Sequence, residues 1–177
     1  MSNHSIYIVL TRTNTVISKM IRFFTRDHYT HAAISLDKEL NRMYSFGRKR
    51  IYNPFIGGFN REQLDQGIYR LCETLPGVII RVDVTEEQYQ RAELLLEHFM
   101  DNKDILKYNY KGLVYNLFEQ EVYCENRFLC SEFVYYIIKE SGIIDLHKPA
   151  NLIRPQNLLD VNGDVVYTGD LKALASI

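Results

Sequence analysis

Leu129-Cys130-Ser131-Glu132-Phe133-Val134-Tyr135-Tyr136-Ile137-Ile138 places a thiol at the mouth of an apolar-periodic run. Positions 130, 133, 134, 137 and 138 follow helical spacing, which predicts a helix with Cys130 on its core-facing side. Gly142 suits the residue just past its end. The positive end of a helix dipole and its unpaired N–H groups favour a thiolate. The same groups can hold a developing oxyanion. A cysteine on an inner helix face is otherwise an inert core residue, since free cysteine is among the most buried residue types. Chemistry at Cys130 therefore needs a partner on the element beneath it.

The candidate partner lies about a hundred residues upstream. Tyr29-Thr30-His31-Ala32-Ala33-Ile34-Ser35-Leu36-Asp37 reads as a strand over Thr30 to Asp37. Alternation puts His31, Ala33, Ser35 and Asp37 on one face, the smaller and more polar one. A Cys–His pair normally needs a third group to orient the imidazole. Asp37 is about 20 Å from His31 along an extended strand, too far to touch it. The following strand, Arg42 to Phe46, offers Ser45. A hydroxyl is a weak orienter because it holds no charge against imidazolium. His28 and His31 do not form a metal pair, because residues three apart on a strand face opposite ways.

The remaining segments surround these two. Ile6 to Leu10 reads as a buried strand, Thr15 to Phe24 as a helix and Val78 to Val84 as a strand. Thr85-Glu86-Glu87-Gln88 has the form of a capping box opening another helix. Tyr108 to Phe118 reads as a short helix and Val165 to Thr168 as a final strand. Gly47 to Asn60, with Pro54, Gly57-Gly58 and Arg48-Lys49-Arg50, reads as a long loop. Strands and helices do not alternate regularly, which favours α+β. The expected architecture is a small antiparallel sheet packed against helices, in a single domain over 1–177.

The composition bounds the function. The chain has 177 residues, 46% hydrophobic, with 13 Tyr, no Trp and a net charge of −1. That balance gives no basic field for nucleic acid. No stretch approaches the roughly 20 apolar residues of a membrane span, and the N-terminus lacks a signal pattern, so a cytoplasmic location is expected. Cys72, Cys124 and Cys130 are an odd set that fits free thiols in a reducing compartment. No cofactor is expected.

Tyr-Thr-His31-Ala-Ala-Ile-Ser-Leu, then Met-Tyr-Ser45-Phe-Gly-Arg, then Leu-Cys130-Ser-Glu-Phe-Val resembles the circularly permuted NlpC/P60 papain-like proteins. These include YiiX-like cysteine hydrolases, with lecithin:retinol acyltransferase a more distant cousin. The resemblance runs over roughly residues 5 to 160. It implies a permuted topology in which the His strand precedes the Cys helix. Cys130 would be the nucleophile, His31 the general base, and Tyr108 the tyrosine preceding the nucleophile helix. Ser45 stands where such proteins usually carry Glu, Gln, Asn, Asp or His. The implied activity is a thiol hydrolase or acyltransferase acting on an amide or ester of a peptide, small molecule or lipid. Arg48, in the basic run after Ser45, is a candidate for binding an anionic substrate group. Two other readings remain: a papain-like scaffold that binds without catalysis, and an unrelated α+β domain with a core Cys130.

Overall fold

The computed structural model describes residues 4–13, 15–50 and 53–176, without the side chains of residues 16, 17, 20, 48–50, 53–56, 175 and 176. The chain is α+β, with one eight-stranded, mostly antiparallel sheet. In chain order the elements are β1 (His4–Thr11), α1 (Val16–Thr25), β2 (His31–Ser35), β3 (Met43–Arg50), β4 (Asn53–Glu62) and α2 (Gly67–Arg70). They continue with β5 (Pro76–Val84), α3 (Glu86–Asp101), β6 (Lys107–Tyr108), α4 (Tyr110–Leu117), β7 (Arg127–Phe128), α5 (Cys130–Glu140) and β8 (Asp164–Asp170). The strands lie side by side as β7-β6-β4-β3-β2-β1-β5-β8, and among the described residues only the short β6–β7 pair is parallel.

Alternation along the strands sorts their side chains onto two faces. Ile6, Ile8, Leu10, Ala32, Ile34, Phe46 and Phe59 pack with α3 and α5 through Leu96, Phe99, Phe133 and Ile137. Tyr7, Val9, Ala33, Met43 and Ile79 face the other way, onto Tyr69, Leu75 and Leu171. The capping box at α3 forms as the sequence requires: Gln88 N donates to Thr85 Oγ1 at 3.2 Å, and Thr85 N donates to Gln88 Oε1 at 2.9 Å.

The described residues of the Gly47 to Asn60 segment, 47–50 and 53–60, are strand rather than loop. They belong to the antiparallel strands β3 and β4, with Gly47 opposite Gly58 and Ser45 opposite Asn60. The glycines read as looseness in the sequence, but at Gly57 they answer a steric demand. A Cβ there would lie 2.8 Å from Tyr108 Cβ and 2.9 Å from the Gly47 carbonyl oxygen. Gly57→Ala should therefore push β4 away from β6 and destabilise the fold by about 1–3 kcal/mol, the usual cost of overpacking. Urea unfolding measures this, and an unchanged midpoint would show that β6 gives way freely.

Tyr108 does not begin a helix, as the sequence suggested. It ends β6, and the helix starts at Tyr110 behind Asn109, whose Oδ1 accepts from Gly112 N at 2.7 Å. The break sits there because an Asn side chain caps a helix better than the tyrosines flanking it.

Candidate active site

Cys130 opens α5, where the fold needs a helix start that is both fixed and buried. Glu132, in the first turn, turns back so that its Oε2 accepts from Leu129 N at 3.0 Å. Ser131 Oγ donates to the Ile153 carbonyl at 2.6 Å, tying the same turn to the 3-10 helix Ala150–Leu152 and its exit. Between these two anchors Cys130 is 4% exposed. The first-turn amides of a helix have no intrahelical acceptor, so they remain available to an anionic group beside the thiol.

The sheet opens to meet this turn. β2 and β3 pair only at Ile34↔Tyr44 and Ser35↔Met43. His31, Ala32 and Ala33 pair with β1 on the other side. The two strands part beyond Ile34, and His31 stands at the parted end. His31 Nε2 lies 3.2 Å and 3.1 Å from the two carboxylate oxygens of Glu62, at the far end of β4. The pair is largely withdrawn from water, with side chains 16% and 12% exposed. Because Nε2 faces Glu62, Nδ1 is the ring nitrogen left for Cys130.

The electrostatics follow from this geometry. Burial works against the charge on His31. The Glu62 carboxylate and the Cys130 side chain outweigh it, and hold the imidazole pKa well above its usual value. Burial likewise works against the Glu62 charge, yet His31 first, then Ser45 and Tyr69, keep that pKa below the usual carboxylate value. Tyr69 Oη donates to Glu62 Oε2 at 2.7 Å. Burial, then the Glu62 charge, raise the Tyr69 pKa well above 10, so it stays a donor. Glu62, not Ser45, is the group in contact with the imidazole. The buried Ser45 hydroxyl makes no well-formed hydrogen bond and sits beside the pair. A Cβ placed on Gly47 would be 3.7 Å from it, 3.6 Å from His31 Cε1 and 3.2 Å from Glu62 Oε1. Gly47 thus leaves the opening in which the three meet.

Tyr108 is buried next to the thiol. Desolvation, then the proximity of Cys130, Tyr110 and Glu132, raise its pKa well above 10. A cavity of about 220 Å³ is lined by His31, Glu62, Tyr69, Gly47, Tyr108 and Tyr110, among others. Cys130 instead lines a separate void of about 20 Å³, and Tyr108 borders both. Arg48 lies in β3 opposite Gly57, and its side chain is outside the described residues.

Cys72, Cys124 and Cys130 are free thiols. Among the described residues no group of three or more His, Cys, Asp or Glu is placed to hold a metal ion. No helix of the described residues is long and apolar enough to cross a membrane. Glu62 is the site residue that sequence reasoning missed. Its signal was present: two antiparallel strands with Gly47 paired to Gly58 put Glu62 on the same face as Ser45, two strands from His31. Taking residues 47–60 as a loop erased that signal. Comparison with protein-family models, curated proteins and solved structures gave no match.

Proposed function

We propose that this chain is a thiol hydrolase or acyltransferase of the permuted NlpC/P60 type, with Cys130 as nucleophile, His31 as general base and Glu62 as the group that orients the imidazole. One observation carries the reading: a largely buried carboxylate–imidazole pair whose imidazole is also acted on by Cys130, the first residue of α5. Asn, Asp or Glu behind a histidine fixes its tautomer and stabilises the imidazolium, which a serine does poorly.

The steps are those of acyl transfer. His31 accepts the Cys130 proton, and the sulfur attacks a carbonyl carbon. The α5 first-turn amides hold the oxyanion, with the Tyr108 phenol, kept protonated by its raised pKa, as a second donor. The C–N or C–O bond breaks, and the leaving amine or alcohol takes the proton from His31. Water or another acceptor then gives a proton to His31 and adds to the thioester carbon. The C–S bond breaks, and the thiol recovers its proton. The substrate class is an amide or ester of a peptide, a small molecule or a lipid. A reducing, cytoplasmic setting suits three free sulfurs.

A second reading, a papain-like scaffold that binds without catalysis, draws on Cys130 lining the small void and not the larger cavity. Alkylation with iodoacetamide between pH 5 and 9 decides between the two. Catalytic pairing requires that Cys130 label well below pH 8.5, the pKa of a free thiol, and that His31→Ala move the reaction to higher pH. A Cys130 that labels only after denaturation would support the binding scaffold, and ordinary thiol behaviour independent of His31 would remove the pair.

A further inference from the structure

Helix α1 serves two surfaces. Its N-cap Thr15, with Ser18 and Ile21, lines the larger cavity, and Ser18 and Ile21 are buried. Towards and just past its C-terminal end, Lys19, Arg22, Phe23, Phe24 and the C-cap Arg26 are exposed. Phe23 is 81% and Phe24 61% exposed, their rings edge-on at 5.3 Å. No acidic residue occurs from Thr15 through Arg26. The first acid beyond them, Asp27, lies 3.6 Å from Arg154 Nε. Helix α4 packs against α1 and leaves Val114 and Phe118 exposed as well.

A pair of aromatic rings held in water beside three cations has no stabilising role in the core. It is the composition of a helix that lies in a membrane interface, where rings enter the acyl boundary and cationic heads stay among the phosphates. Its charge is complementary to an anionic leaflet, and a chain that carries −1 as a whole is drawn to such a surface by a local basic patch rather than by its net charge.

We propose that the exposed C-terminal end of α1, through Phe23, Phe24, Lys19, Arg22 and Arg26, docks the protein on an anionic lipid bilayer. Docking holds the cavity that α1 walls within about one helix diameter, ~10 Å, of the lipid headgroups. The inference does not rest on the thiol chemistry, so binding is measured on both the full chain and its Cys130→Ala form, and loss of activity with retained binding separates the two.

The experiment is co-sedimentation with vesicles of phosphatidylcholine alone and of phosphatidylcholine with 30% phosphatidylserine, a composition set by us at about the level that gives a negative surface potential. Binding is expected to the anionic vesicles only, and to fall as salt is raised. Each lost cation weakens attraction about fivefold, so Lys19→Gln with Arg22→Gln and Arg26→Gln should lower the partition coefficient about a hundredfold. Phe23→Ser with Phe24→Ser should abolish sedimentation. All five side chains are exposed, and circular dichroism checks that the variants fold. No binding, or binding that the substitutions leave unchanged, overturns the proposal. So does a doubled mass in light scattering that Phe23→Ser returns to that of a monomer, which would make α1 a contact between two copies of the chain.

Discussion

Glu62→Gln is expected to lower the rate of Cys130 acylation by about 10²- to 10³-fold at pH 7, within the range found for positioned acid–base groups. The amide keeps the shape and one acceptor oxygen but loses the charge. His31 then loses the attraction that outweighs its burial, and its pKa falls. The pH–rate profile must move with it, which separates positioning from mere folding. Glu62→Asp, which keeps the charge on a shorter stem, should recover part of the rate. If Glu62→Gln acylates like the wild-type chain with an unmoved profile, Glu62 has no part in the chemistry.

The same pair makes stability pH-dependent, with opposite signs at its two ends. His31 has a folded pKa above its unfolded value near 6.5, so its contribution is whole below that value and is lost as pH rises through the raised folded pKa. Glu62 has a folded pKa below its unfolded value near 4.5, so its contribution is whole above that value and is lost as pH falls through the lowered one. The pair therefore contributes fully between about pH 4.5 and 6.5. Denaturant midpoints should be less sensitive to Glu62→Gln outside that window than inside it. Breaking a buried pair costs more than the pair contributes, but here His31 can shed its proton, which limits the loss to about 1–3 kcal/mol.

Phe133→Ala is expected to have the largest effect on folding, about 3–5 kcal/mol, the range for a fully buried aromatic ring. Phe133 is fully buried and lies one turn after Cys130. Its ring centroid is 5.3 Å from Phe46, 5.5 Å from Phe59 and 5.1 Å from Phe99. Those residues come from β3, β4 and α3, so one ring holds the Cys130 helix to the strand pair that carries Glu62 and to the helix behind it. Tilted and edge-on contacts of this kind add to the area term. In a chain of this length the melting temperature should fall by about 10 °C. Phe133→Leu, which refills much of the volume, should restore about half of the loss. A melting temperature unchanged by Phe133→Ala would mean that the cluster closes over the gap at no cost.

The candidate site was legible where local pattern carries it. Helical spacing turned Cys130 inward, and strand alternation put His31 on the face away from Ile34. Both are consequences of fixed backbone periods, and both readings describe the folded chain. The third member was not legible in the same way. Glu62 is 31 residues from His31 in the chain, and its position depends on the β3–β4 register, in which Gly47 pairs with Gly58. The sequence shows these glycines as a flexible composition. Only the sheet shows that close approach of Tyr108 and the Gly47 carbonyl leaves no room for a side chain at Gly57.

What the sequence by itself determined is thus the mixed α+β class, the inward thiol at a helix mouth and the histidine before it in the chain. Each follows from a period of 3.6 or 2 residues acting within a dozen positions. What the tertiary structure decided is which group meets the imidazole, and how the site is closed. β2 and β3 part beyond Ile34, Gly47 leaves the opening, and Glu62 enters it, while Tyr108 borders both the void at Cys130 and the larger cavity. Those arrangements arise from strand pairing and packing over tens of residues, and no local period encodes them.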